Sequence, residues 1–386
     1  MLTKYFLQIG LLLIICFCRI SFAAASVDDR GYVLILNSYA ESDVWANHVI
    51  DSIRMDRSIK EDICVEALNV LLENRVPEVQ ERVNYILEKY DSLPVCVVVL
   101  GSSGWAIFEN LFKGVWKEVP VILCVREDYI SPLDVILKKE EIDSHEIIPL
   151  REKLKGMNVA LVECPVYIRE TIDEMKHLLP EMKKVVLISD GLYESAQVRK
   201  KMRHVCQEYF PELEVSYFTE GRMTMDQMLD SIYSSDINQV GLLYFSWVQR
   251  EKIANNKYLS ANNHKAISYF DNHPIFALED IGIHDGDMAG GYFYLGRDLA
   301  HTVAQTLRDI RNGKEVKEIP VQMAGKPGYY LSLIRFCRRR EFQHPCTRIM
   351  LFIYWLPRDF GNEHVIWYSQ LRFYSLSRIC CGGRCG

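Results

Sequence analysis

The chain has no G-x-x-x-x-G-K-[ST] phosphate loop, no ATP-binding glycine motif, no kinase core and no phosphoacceptor-helix signature, so phosphotransfer is not written in its 386 residues. Paired C-x-x-C spacing is missing from the body, which excludes a zinc ribbon or a thioredoxin-like redox motif there. Positive charge is scarce where it would matter for nucleic acid. The chain carries −6 overall, but residues 331–386 hold +6 of local charge, leaving −12 on the first 330 residues. A phosphate-binding groove needs a basic stripe, and no such stripe exists, so nucleic acid is not an expected partner. Disulfides are not expected either. Cys64, Cys96, Cys124, Cys164 and Cys206 are odd in number, and the first three lie in apolar runs where a free thiol packs as a small hydrophobe.

What is present begins with Lys4, the apolar stretch YFLQIGLLLIICFC and the small run AAAS, with an Ala-x-Ala site ending at Ala25. This reads as a secretory signal over residues 1–25 and implies an extracytoplasmic, periplasmic location, membrane-anchored if the signal is retained. Arg19 interrupts a run already short for a membrane span.

From residue 32 onward, short β-branched runs alternate with helical stretches, the pattern of βαβ units and a parallel sheet. YVLILNSY (32–39), ICVEALNV (63–70), VCVVVLGSS (95–103) and VPVILCVRE (119–127) read as buried strands, with helices starting near Val44, Pro77 and Gly104. A charged, poorly periodic stretch at 137–156 breaks the rhythm. It restarts with MNVALVECP (157–165), KVVLISDG (184–191), LEVSYFTEG (213–221) and QVGLLYFSW (239–247). Thr224 and Gln227 have capping-box spacing, and a further strand GGYFY precedes a helix from Gly296 to about Asn312. The expected division is lobe one at 26–150 plus 276–330 and lobe two at 151–275.

Three segments carry a resemblance: VLILNSYAESDVWANHVIDSI, VVVLGSSGWAIFENLFKGVWKEVPVILCV, and HPIFALEDIGIHDGDMAGGYFYLGRDLAHTVAQTLRDIRNGKEVKEIPV. Over residues 30–330 the chain resembles the type I periplasmic-binding-protein fold. More narrowly, it is similar to the ABC-transporter substrate-binding-like family and to the extracytoplasmic sensor region of Bacteroides-type hybrid two-component histidine kinases. The resemblance implies an α/β protein of two Rossmann-like lobes, with parallel sheets flanked by helices and a hinged cleft. It also implies a small-molecule ligand, no cofactor, no catalysis, and a histidine kinase or an ABC permease as partner.

Ligands of parallel α/β sheets sit beyond the carboxyl ends of the strands. Candidates in lobe one are therefore Asn37, Ser38, Tyr39, Ser102, Ser103, Trp105 and Arg126, and in lobe two Asp190, Tyr193, Glu220, Ser246 and Trp247, with Asp280 near the return segment. Each has a plainer reading. Ser102 and Ser103 open a helix that their hydroxyls could cap; Trp45, Trp105 and Trp247 could be packing residues; Arg126 could clamp an anion or pair with Glu127; Asp190 before Gly191 makes an ordinary turn. The aromatic and charged set suggests an amino-acid-like or sugar-like ligand.

Other chemistry is weakly signalled. GSSGW falls one glycine short of the nucleophile elbow, leaving a serine hydrolase using Ser103 as a remote alternative. HDGDMAGG lacks the order of a calcium loop, and His264 and His273 lie outside usual metal spacing, so no metal site is expected.

Beyond about Ser332 the grammar changes. Residues 331–386 hold nine Arg and no Lys, with no sustained period of either helix or strand, and IMLFIYWL (349–356) is too short to span a bilayer. This segment reads as an aberrant, frame-shifted tail, in which Cys380, Cys381 and Cys385 carry no selected function. A zinc reading would need Cys346 or His364 as a fourth ligand. The expectation is a sensor truncated before its membrane and kinase parts.

Overall fold

The computed structural model describes residues 31–332 apart from 70–74, 144, 146, 220, 251–257, 260–262, 270–272 and 284. The expected signal at 1–25, Glu220, and the tail from 333 with Cys380, Cys381 and Cys385 lie outside the described residues.

β1 (Tyr32–Asn37), β2 (Asp62–Ala67), β3 (Cys96–Leu100), β4 (Val121–Val125) and β5 (Val159–Glu163) form a parallel sheet in the order β2-β1-β3-β4-β5. A second sheet repeats that order with β6 (Lys184–Ser189), β7 (Glu214–Thr219), β8 (Val240–Tyr244), β11 (Ile275–Ala277) and β12 (Gly290–Phe293), giving β7-β6-β8-β11-β12, all parallel. Between β8 and β11 in sequence, β9 (Gln249–Arg250) and β10 (Tyr258–Leu259) make a two-residue antiparallel pair. β13 (Gln322–Met323) then adds to β5 in parallel, and β14 (Gly328–Leu331) adds to β12 antiparallel.

Sequence explains this locally. Every residue of β3 (CVVVL) and β4 (VILCV) is buried, as expected of central strands covered by helices on both faces. In β6 the faces alternate: Val185 and Leu187 enter one core, Val186 and Ile188 the other, so the second sheet is sandwiched between two cores.

The helices are α1 (Val44–Met55), α2 (Val76–Lys89), α3 (Ser102–Lys113), α4 (Leu133–Lys138), α5 (Leu150–Lys153), α6 (Ile168–Leu178), α7 (Tyr193–Tyr209), α8 (Met225–Tyr233), α9 (Asn263–Tyr269) and α10 (Gly296–Arg311). Asp43 caps α1, accepting from the Ala46 amide at 2.8 Å; Pro77 sits in the first turn of α2; Thr224 and Gln227 form the expected capping box on α8. Ser102 and Ser103 do not cap α3. Its N-cap is Gly101, with no side-chain cap bond, and the free amide of Gly104 goes instead to Ser38 Oγ at 2.7 Å, a hydroxyl brought from the end of β1.

Sheet membership differs from the expected lobe boundaries. β5, at 159–163, pairs in the first sheet, whereas β11, β12 and β14, placed by the sequence reading in the returning segment of lobe one, pair in the second. The irregular stretch after β4 is not a linker between lobes. Its spaced apolar residues Ile136, Ile142 and Leu150 pack into the first core, so the chain completes a fifth strand before leaving. The segment from α10 through a 3-10 turn (Val316–Glu318) to β13 returns to the first lobe: Leu299, Val303 and Leu307 of α10 pack in the first core, where α10 lies against α1, and Val316 packs on Ala160 of β5. Among the described residues the chain thus passes between the sheets three times, after β5, after β12 and after β13.

Candidate functional site

In a sheet of order 2-1-3-4-5, neighbouring connections leave in opposite directions between the first and third strands, opening a crevice at their carboxyl ends. Both sheets have that crevice. In the first it is filled: Ser38 Oγ donates to the Gly101 carbonyl at 3.1 Å while accepting from Gly104. A side chain at either glycine could not sit there, since a Cβ on Gly104 would lie 2.7 Å from Ser38 Oγ, and Gly101 has φ +94°. In the second sheet Asp190, beyond β6, accepts from Ser246 Oγ, beyond β8, at 2.6 Å and from the Leu192 amide at 3.0 Å.

Between the two sheets lies a cavity of about 50 Å³. The first lobe lines it with Tyr39, Asp43, Trp45 and Arg126, the second with Asp190, Glu194, Ser195, Tyr244, Phe245, Ser246, Trp247, His264 and Glu279. Arg126 dominates it. Its side chain, 5% exposed, reaches from the end of β4 to Glu279 beyond β11, with Nε at 2.9 Å and Nη2 at 2.5 Å from Oε1, and lies 3.6 Å from Glu194 at the start of α7. Nη1 also donates to Tyr39 Oη at 2.5 Å. The guanidinium is enclosed by rings, 5.0 Å from the Tyr39 centroid, 4.9 Å from Trp45 and 5.3 Å from Phe245.

Three of the carboxyls here resist ionisation. Burial pushes Glu194 up to about 7, with Glu127 and Glu279 adding to the rise against the opposing pull of Arg126. Burial likewise raises Glu279 and Asp43. Three buried polar atoms of lining residues have no hydrogen-bond partner among the described residues: Glu194 Oε1, Ser195 Oγ and Trp247 Nε1.

Of the residues named from sequence, Tyr39, Arg126, Asp190, Ser246 and Trp247 meet at this cavity. The others among the described residues do not line it. Asn37 is the last residue of β1, and its Oδ1 accepts from the Tyr39 amide; Ser38 holds α3. Ser102 and Ser103 are buried in the first turn of α3. Trp105 is fully buried and stacks on Phe112 at 4.8 Å, because residues 105, 108 and 112 share the core face of that helix. Tyr193 donates to Ser131 Oγ at 2.6 Å, a strut between the lobes. Asp280 accepts from the Gly296 amide at 3.1 Å and so caps α10 at a crossing.

Asp43, Glu194 and Glu279 were missed. Asp43 and Glu194 lie not at strand ends but at the start of the next helix, Asp43 as the N-cap of α1 and Glu194 in the first turn of α7, and Glu279 follows the three-residue strand β11. The signal available was their place where the chain leaves a strand end for its next element. Among the described residues no His, Cys, Asp and Glu side chains group to hold a metal ion, and Cys64, Cys96, Cys124, Cys164 and Cys206 are free thiols.

No protein-family model matches the chain, and no curated protein matches it. Solved structures do. An ABC domain in complex with L-Trp from Streptococcus pneumonia is similar at TM-score 0.53 and 11% identity, covering 79% of this chain and 94% of that one. The periplasmic binding protein component of the arabinose ABC transporter from Shewanella sp. ANA-3 has TM-score 0.48 at 10% identity, covering 82% and 100%. An ABC transporter solute binding protein from Bacillus halodurans C-125 with bound myo-inositol has TM-score 0.46 at 12% identity, covering 81% and 99%. At such identities the likeness is one of fold. Two mostly parallel sheets of the same strand order, flanked by helices and linked by repeated crossings, give this chain the two-lobed fold of the type I periplasmic binding proteins.

Proposed function

We propose that this protein binds a small ligand between its lobes as the extracytoplasmic sensor domain of a two-component receptor. The observation that carries ligand binding is the cavity where both sheets present their carboxyl ends and where Glu194, Ser195 and Trp247 each leave a buried polar atom without a partner. Buried polar groups are nearly always satisfied, so three at one cavity call for a molecule that supplies the missing bonds. Ligand contacts made to both lobes at once favour the closed arrangement, and lobe closure is the output.

The sensor role rests on the sequence resemblance. The solute-binding role, with an ABC permease as partner, is favoured by the likeness to an ABC domain in complex with L-Trp. The two readings part at the DNA. Translating all three frames beyond the codon of residue 332 gives a membrane helix and a kinase under the sensor reading, and neither under the solute-binding one.

Catalysis has little support. Ser103 Oγ has no hydrogen-bond partner among the described residues, hence no general base beside it. Among those residues no helix is long and apolar enough to cross a membrane. Ligand binding is tested by titrating the full chain calorimetrically with amino acids and sugars. One site per chain, lost in Arg126→Ala, is expected; heats of dilution alone across the set would remove the reading.

A further inference from the structure

We propose that the cleft selects a net-cationic ligand, a small amine that also carries an acceptor oxygen, with its ammonium group on Glu194 and its oxygen on Trp247. This rests on the ligand-binding reading and names the class of molecule that the site takes.

The charge count comes first. Asp43, Asp190, Glu194 and Glu279 line the cavity, and among the described residues Arg126 is its one Lys or Arg. That arginine is already engaged: Nε and Nη2 are on Glu279 and Nη1 is on Tyr39. It therefore has little left with which to receive a carboxylate or phosphate. Asp190 is also engaged, through Ser246 and the Leu192 amide, and Asp43 caps α1. Glu194 is the carboxylate left over. Its Oε2 lies 3.6 Å from Arg126, too far for a good hydrogen bond, and its Oε1 has no partner.

A buried carboxylate needs an opposite charge as well as a hydrogen bond. A sugar hydroxyl supplies only the second, whereas an ammonium group supplies both. Burial raises Glu194, Glu279 and Asp43 against the opposing pull of Arg126, so the one guanidinium does not offset their loss of water. The walls agree with a cation: Tyr39, Trp45 and Phe245 already surround one, and Tyr244 and Trp247 extend the aromatic lining. Trp247 Nε1 can only donate, so its partner is an acceptor atom of the same ligand, with Ser195 Oγ free to do either. A cavity of about 50 Å³ holds only a few water-sized groups, so larger amines require the lobes to part further.

The test is a charge series on one skeleton, read by thermal shift and calorimetry on the full chain near neutral pH. L-Alaninamide is the cation, L-alanine the zwitterion, lactamide the neutral form and lactate the anion. The phenylalanine-derived set repeats the series with an aromatic body, and D-arabinose and myo-inositol serve as neutral polyols. Binding by an amide, at least about tenfold tighter than by its zwitterionic, neutral and anionic analogues, is expected. Glu194→Gln should then lose about tenfold for the amide alone, and Trp247→Phe, which keeps the wall and removes the N–H, should weaken it without abolishing it.

Preferential binding of lactamide, arabinose or inositol would overturn the cation assignment and leave ligand binding standing. Tighter binding of L-alanine, lactate or their phenyl analogues would overturn it in the same way. No binding by any probe would overturn both.

Discussion

Glu194 makes the stability of the protein depend on pH in a direction opposite to that of an ordinary paired carboxylate. Its folded value near 7 stands above the ordinary 4.5, chiefly through burial. The folded state therefore holds the proton more tightly than the unfolded one, and the stabilisation this gives is full below about 4.5 and lost as pH rises to about 7. Arg126, Glu127 and Glu279 act on it directly, Tyr129 and Tyr193 lie close, and Asp43 and Asp190 share the cavity. Glutamine mimics the protonated form at every pH. Glu194→Gln is thus expected to melt close to the wild type at pH 5 and above it at pH 8; a melting-temperature difference that stays constant between those values would refute the assignment. Trp105 gives the contrasting residue-scale case. Since it lies in the core and off the cavity, Trp105→Ala should cost about 3–5 kcal/mol in denaturant unfolding and leave the affinity of the folded fraction unchanged.

At the scale of elements, the first crevice is a lock between β1 and α3 rather than a pocket. Gly104→Ala would put a Cβ 2.7 Å from Ser38 Oγ and 3.0 Å from Val99, displacing the hydroxyl that satisfies the α3 amide. A loss of about 1–3 kcal/mol is expected, with Ser38→Gly in the same chain recovering part of it. Additive losses in the double variant would mean that the two residues do not act as a unit.

The same pair shows what could be read in advance. Strands and helices were legible because their apolar periods are strong and because Pro77 and Thr224 mark helix starts. Lobe boundaries were not, since β5 and β11 look alike as apolar runs and only pairing says which sheet each joins. The site was half legible. Strand ends point to Arg126, Asp190 and Ser246 by rule, but Ser38 and Ser102 occupy equivalent strand ends and are used for packing. Nothing local distinguishes a hydroxyl that receives an amide from one that receives a ligand.

For the whole molecule the question is what holds the lobes together. Neutral struts contribute, with Tyr193 on Ser131 at 2.6 Å and Tyr129 on Gln197 at 2.9 Å, each worth about 1 kcal/mol. The buried charged link is Arg126, which belongs to the first lobe while Glu279 and Glu194 belong to the second; Arg203 of α7 adds a more exposed pair with Glu141 of the first lobe. Removing it does more than delete a bond, because two buried carboxylates are then left facing a cavity lined by two more, and opening to water becomes the cheapest way to solvate them. Arg126→Ala should therefore enlarge the radius of gyration in small-angle X-ray scattering, and adding Glu194→Gln and Glu279→Gln should restore the compact value by removing the repulsion. A compact single variant would mean that the neutral struts and the Arg203–Glu141 pair suffice to set the closed arrangement. An open triple variant would mean that the guanidinium holds the lobes by packing against Tyr39, Trp45 and Phe245, with its charge incidental to closure.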